Sequence, residues 1–220
     1  MSDTASFYGR WAGLYDRIAT APGVGRWRRA VAERVAEPGA TVVEMGCGTG
    51  ANLPYLRERV GPEGRVVGVD ITGPLLTRAR DRTAAFDNVA VVRGDATRPP
   101  IADCDAVVST FVCGMFEDPA AVVDGWCDLV GAGGRIAVLN ATETTAPLGR
   151  PLNPLFRGFT AAGAPSMGAL DALRATTGCV ELPLSERVEA SREALFERTV
   201  ERRFETFALG FVGLASGRVR

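Results

Sequence analysis

Residues 41–60 constrain the fold more than any other stretch. Thr41-Val42-Val43-Glu44-Met45 is a short β-type run with one acid near its end. Gly46, Gly48 and Gly50 follow at alternate positions, and Leu53, Leu56 and Val60 then recur at helical spacing. The pattern predicts strand, tight glycine turn and helix start. Glycine reaches left-handed backbone and lets a ligand lie on bare main chain. A helix start adds unpaired N–H groups and partial positive charge. Such a turn suits a charged ligand at the C-terminal edge of a parallel sheet.

The rest of the chain repeats that alternation. Arg65–Asp70, Val89–Arg93, Asp105–Ser109 and Arg135–Asn140 read as further strands, apolar enough to be buried on both faces. Helices are expected over 25–36, 52–60, 73–84 and 119–130, each bounded by Gly or Pro punctuation. Five strands alternating with helices predict an α/β protein with a parallel sheet and right-handed crossovers. At 220 residues, 46% of them hydrophobic, one domain with a sizeable core is expected. Its parts read as a helical cap over 1–36, a core over 41–140, an apolar substrate-side loop over 141–168, and a closing segment over 169–220. That closing segment is expected to hold a helix near 168–177 and strands near 187–200 and 204–215.

Composition excludes several functions. The net charge of −1 argues against general nucleic-acid binding. Histidine is absent, which removes Ser-His-Asp and Cys-His hydrolases and the commonest metal ligand. None of the five cysteines is spaced as CxxC, so no metal site is expected and the thiols read as reduced and buried. Cys113 is expected to line the cleft. No apolar run has the length of a signal peptide or a membrane span, which predicts a cytoplasmic protein, at most peripheral at a membrane. All 25 basic residues are Arg. Those on the helix over 25–36 read as a solvated face, or as a basic rim for anionic head groups.

The predicted strand ends share one crevice. They carry Glu44 with the glycines, Asp70, Asp95-Ala96 and Ser109-Thr110-Phe111. Asp70 suits ribose hydroxyls, and Asp95 suits an exocyclic amine of a base, with the Ala96 N–H beside it. The glycine pattern alone also fits a dinucleotide fingerprint. Glu44, however, would repel a pyrophosphate and attract an ammonium, which points to S-adenosylmethionine over NAD.

These motifs, in this order, resemble the class I S-adenosylmethionine-dependent methyltransferases. Val42–Gly50 is similar to the family's first motif, and Val67-Gly68-Val69-Asp70 to its second-strand motif. Gly94-Asp95-Ala96 and Asp105–Ser109 match the third and fourth. Leu129–Arg135 resembles the turn before strand five, with Ala132 where proline is usual. The resemblance implies a Rossmann-like seven-stranded, mostly parallel sheet of order 3-2-1-4-5-7-6, with strand 7 antiparallel and helices on both faces. It implies Glu44, Gly46, Cys47, Gly48 and Gly50 at the methionine end. Asp70 with Ile71 would lie at the ribose, Asp95 with Ala96 at the adenine, and Ser109, Thr110 and Phe111 at the sulfonium.

Tyr8–Asp16 resembles the opening helix of ubiquinone/menaquinone C-methyltransferases and of soluble phosphatidylethanolamine N-methyltransferases. That resemblance implies a small, lipophilic or lipid-like acceptor, a quinol carbon or a head-group amine. Tyr15 and Asp16 would then contact the acceptor and supply the base that histidine cannot. Two other readings stay open at this point, a non-catalytic S-adenosylmethionine-binding protein and a nicotinamide-dependent oxidoreductase.

Overall fold

The computed structural model describes residues 23–162 and 184–220. The opening helix expected around Tyr8–Asp16, with Tyr15, lies outside these residues, as do the helix expected near 168–177 and Cys179.

The described chain runs α1 (Val24–Val35), β1 (Thr41–Met45), α2 (Leu53–Val60), β2 (Arg65–Asp70), α3 (Gly73–Thr83), β3 (Val89–Arg93) and β4 (Ala106–Thr110). It continues through α4 (Pro119–Val130), β5 (Arg135–Ala141), α5 (Asn153–Ala162), α6 (Leu184–Arg198), β6 (Thr199–Phe207) and β7 (Val212–Val219). Local chemistry sets many of these bounds. Proline stands in the first turn of α2, α3 and α4, where its missing N–H costs nothing. Asp118 caps α4 by accepting the Ala121 N–H at 3.0 Å, and Gly131 ends that helix at φ 72°.

The seven strands form one sheet of order β3-β2-β1-β4-β5-β7-β6. β1 pairs in parallel with both β2 and β4, and β7 runs antiparallel to β5 and to β6. The order reverses between β1 and β4, so the crevice opens above their C-terminal ends.

Strand alternation builds a core on each face. Val42, Val66 and Val108 face Val31, Leu53 and Leu56. Val43, Val67 and Val107 face Trp126, Cys127 and Leu195. These side chains are buried on both faces. That arrangement explains why the strands read as unbroken apolar runs.

Three expectations need correction. The strand expected near 204–215 is interrupted: β6 ends at Phe207, a tight turn covers 208–210, and β7 begins at Val212. The segment expected as a strand near 187–200 is helix α6 up to Arg198, and only then does β6 begin. Its Glu, Arg and Ala residues favour helix. Ser191, Ala194 and Leu195 supply one buried stripe, and the helix lies on α4, where Arg198 pairs with Asp124 at 2.9 Å. The 141–168 stretch, expected as a loop, contains α5. Asn153 starts this helix and ties it down, its Oδ1 accepting the Thr144 N–H at 3.0 Å. Among the described residues, no helix is long and apolar enough to cross a membrane.

Candidate functional site

The glycine turn sits where β1 ends. The Gly46 and Cys47 N–H groups both donate to the Val69 carbonyl, at 2.8 and 3.0 Å, which folds the turn over β2. Gly46 has φ +71°, and a Cβ there would lie 2.5 Å from Val112 Cγ2. Gly48 has φ +55°, yet a Cβ there would meet nothing within 4 Å. One glycine is therefore packed from behind, while the other borders open space. Arg82 of α3 donates to the Thr49 carbonyl and, at 3.0 Å, to Thr49 Oγ1, which holds the turn from outside.

Asp70 is the next wall. Its Oδ2 accepts the Gly48 N–H at 2.9 Å and its Oδ1 accepts the Thr72 N–H at 2.8 Å. Two backbone donors thus fix the carboxylate, with lone pairs left on each oxygen. Ile71 beside it is exposed, and its carbonyl accepts from Arg93 Nε at 3.2 Å.

Asp95 forms the third wall. Its Oδ1 accepts the Thr97 N–H at 2.9 Å and the Thr97 hydroxyl at 2.8 Å. The Trp126 indole N–H donates to the Ala96 carbonyl at 2.8 Å, which anchors this edge to the core beneath.

The fourth wall follows β4. Phe111 holds φ +60°, an uncommon conformation for a bulky residue, and remains 40% exposed at the crevice. Its N–H donates to the Leu139 carbonyl at 2.7 Å. Met115 is also exposed.

Three predicted positions sit differently from the expectation. Ser109 does not reach the crevice. It is fully buried on the Trp126 face, and its hydroxyl has no hydrogen-bond partner among the described residues. Cys47 contributes backbone only. Its side chain packs into the core, close against Gly68, and burial pushes its thiol pKa well up. Cys113 is likewise buried beneath the crevice, not lining it.

Glu44 is 1% exposed. It lies on the Val42 face of β1, under α1 and α2. Its Oε1 accepts from the Asn52 amide and, at 3.3 Å, from the Thr110 hydroxyl. Its Oε2 is buried with no partner among the described residues. Burial raises its pKa to about 7, opposed by Asn52, Arg28 and Thr110, with Asp70 adding to the rise. Arg28 of α1 is itself buried and donates to Asn52 Oδ1. The expectation of a wholly solvated arginine face on this helix therefore fails at Arg28.

Asn52, Arg28, Arg82 and Trp126 were not among the predicted site residues. Asn52 resembles an ordinary helix cap in sequence, but its side chain makes no capping bond and turns to Glu44 instead.

Comparison with known proteins fits this geometry. A family described as a methyltransferase domain matches residues 43–138. Nocamycin O-methyltransferase of Saccharothrix syringae is 36% identical over 140 residues, 60% of this chain and 48% of that protein. A 2-phytyl-1,4-naphtoquinone methyltransferase of Thermosynechococcus vestitus is 32% identical over 147 residues, covering 64% and 65% of the two chains. In each case the chain spans less than two thirds of the curated relative. In fold, the chain is similar to a SAM-dependent methyltransferase from Aquifex aeolicus, with a TM-score of 0.61 and 15% identity over 95% of this chain and 98% of that one.

The residues present fit S-adenosylmethionine on their own chemistry. An unpartnered buried carboxylate oxygen suits an ammonium, the open side of Gly48 suits close main-chain approach, and Asp70 and Asp95 retain acceptor capacity. Residues 43–138 thus match a methyltransferase domain, and the chain shares its fold with a SAM-dependent methyltransferase.

Proposed function

We propose that the chain transfers a methyl group from S-adenosylmethionine to a small lipophilic or lipid-like acceptor, a quinol carbon or a head-group amine. The observation that carries the lipophilic part is a set of exposed leucines on the 141–162 segment and in the turn before β7. Leu148 is 81% exposed, Leu155 72% and Leu209 51%. Leu148 and Leu209 border one groove with Arg26, and Gly149 packs directly against Leu209. Ala208 and Leu209 both hold positive φ, an unfavourable backbone for side-chain-bearing residues. Apolar tips flanked by exposed Arg26 and Arg150 match the surface of an anionic bilayer. The naphtoquinone methyltransferase relative supports an apolar acceptor.

The bound sulfonium supplies an activated methyl group, so the protein's work is alignment and exclusion of water. Glu44 Oε2 would receive the cofactor's ammonium, and the Gly48 backbone would border its methionine part. Asp70, with Ile71 beside it, would receive the ribose hydroxyls, and Asp95 with Ala96 the adenine. Thr110 would act through Glu44, and Phe111 would offer the sulfur an apolar wall. Tyr15 and Asp16, outside the described residues, are the candidates for acceptor contact. An amine acceptor needs only to arrive deprotonated, whereas a quinol carbon needs its neighbouring hydroxyl deprotonated.

Transfer of a labelled methyl group tests the reading. The acceptors would be a prenylated naphthoquinol and phosphatidylethanolamine, each in vesicles with and without anionic lipid, beside water-soluble catechols and amines. Labelled lipid product, more of it on anionic vesicles, is expected. Turnover of water-soluble acceptors alone would refute the lipophilic reading. Cofactor binding without turnover of any acceptor would favour a non-catalytic binding protein.

A further inference from the structure

Glu44 is held in a buried network below the glycine turn. Its Oε1 is filled by Asn52 Nδ2 and the Thr110 hydroxyl, and Asn52 Nδ2 also donates to Thr110 Oγ1 at 3.0 Å. Arg28 fixes which way the Asn52 amide points. A guanidinium only donates, so the atom it touches must be the amide oxygen, and the NH₂ group is thereby directed at Glu44 and Thr110. Three separate elements meet here: Arg28 on α1, Asn52 at the start of α2, and Glu44 on β1, with Thr110 closing the network from β4. Arg28, Asn52 and Glu44 are each more than nine-tenths buried. Within this network the open acceptor is Glu44 Oε2.

We propose that Asn52, oriented by Arg28, is a positioning residue that locks Glu44 with one oxygen filled and the other presented to the ammonium of the cofactor, so that cofactor binding is coupled to loss of the Glu44 proton. This rests on the cofactor reading above. Without Asn52 the carboxyl keeps only the Thr110 hydroxyl as a donor among the described residues. Arg28 supplies positive charge through the amide without occupying the position that the ammonium needs. Among the described residues, the charged or titratable groups around Glu44 are Arg28 on α1, Asp70 at the end of β2 and the Cys47 thiol in the turn. Asp70 opposes ionisation of Glu44 and Arg28 favours it, and the incoming ammonium tips the balance toward the carboxylate.

The test compares two ligands that differ only at the amino-acid head. S-adenosylhomocysteine carries the ammonium and its carboxylate, and 5′-methylthioadenosine lacks both. Affinities of wild type, Asn52→Ala and Asn52→Asp would be measured by calorimetry at pH 6, 7 and 8, in two buffers of different ionisation enthalpy. In wild type, S-adenosylhomocysteine affinity should rise between pH 6 and 8 with proton release, and methylthioadenosine affinity should stay flat. Asn52→Ala should weaken S-adenosylhomocysteine about tenfold at pH 7, move its pH profile upward, and change methylthioadenosine less than twofold. Asn52→Asp keeps the shape and the contact to Arg28 but cannot donate to Glu44, so it should show the same split if the alanine variant fails to fold. Parallel loss of both ligands would mark Asn52 as merely structural and overturn the proposal, as would an unchanged pH profile. Absence of wild-type binding to either nucleoside would instead refute the cofactor reading beneath it.

Discussion

Replacing Gly48 or Gly46 with alanine should separate stability from binding within one turn. Gly48 has φ +55°, where an alanine costs about 1–2 kcal/mol. Stiffening of the unfolded chain offsets about 0.4–1 kcal/mol of that. A Cβ at 48 meets no protein atom within 4 Å, so no packing cost is added. The net loss is about 1 kcal/mol, or about 2–4 °C in Tm for a chain of this size. That Cβ would nevertheless occupy the space against which the cofactor is proposed to lie. Pushing the ligand off the backbone forfeits about two hydrogen bonds at about 1–1.5 kcal/mol each, roughly a 30- to 150-fold loss of affinity. Gly46→Ala carries the same backbone cost plus a Cβ at 2.5 Å from Val112, and overpacking adds about 1–3 kcal/mol. Its Tm should fall about two to four times as far. Thermal melts and S-adenosylhomocysteine calorimetry on both variants would decide the matter. A Gly48→Ala protein that binds within twofold of wild type would show that the ligand does not lie on that backbone, and the reasoning would fail.

Two further outcomes concern Glu44 and the Ala96 edge. Glu44, with a folded pKa of about 7 against an ordinary 4.5, binds its proton more tightly in the folded state. The ligand-free protein should therefore keep that contribution in full below pH 4.5 and lose it as pH rises to about 7. It amounts to on the order of 3 kcal/mol, and Glu44→Gln should flatten the slope in denaturant titrations across that window. Trp126→Phe removes the donor to the buried Ala96 carbonyl. It should cost about 1–3 kcal/mol in chemical denaturation and weaken adenosine binding, whereas unchanged adenosine affinity would show that the Ala96 edge needs no anchor.

Much of the architecture was readable before any coordinates. β1, β2, β3 and α4 fall on the expected residues, because two-sided strands appear as apolar runs and Gly or Pro marks their ends. Strand parity could have shown more. Val42, Glu44 and Val108 share one face, whereas Ser109, opposite Met45 in the register, must share the other. The Ser109 side chain therefore stands on the face of the sheet opposite Glu44. Helix α6 was harder to read, since its single buried stripe is short and its charged residues surround it.

By itself, the sequence determined the glycine turn, the acids at the strand ends and the crevice they share, because these depend on local conformation and on chain order. Only the tertiary structure decided how Glu44 is held. Arg28 and Asn52 are 24 residues apart, and Glu44 and Thr110 are 66 apart. In a linear reading Arg28 looks like one more surface charge, and Asn52 like a helix cap. Burial converts both into obligatory partners. A polar group removed from water must find a donor or acceptor wherever the fold brings one, and sequence spacing carries no record of that choice.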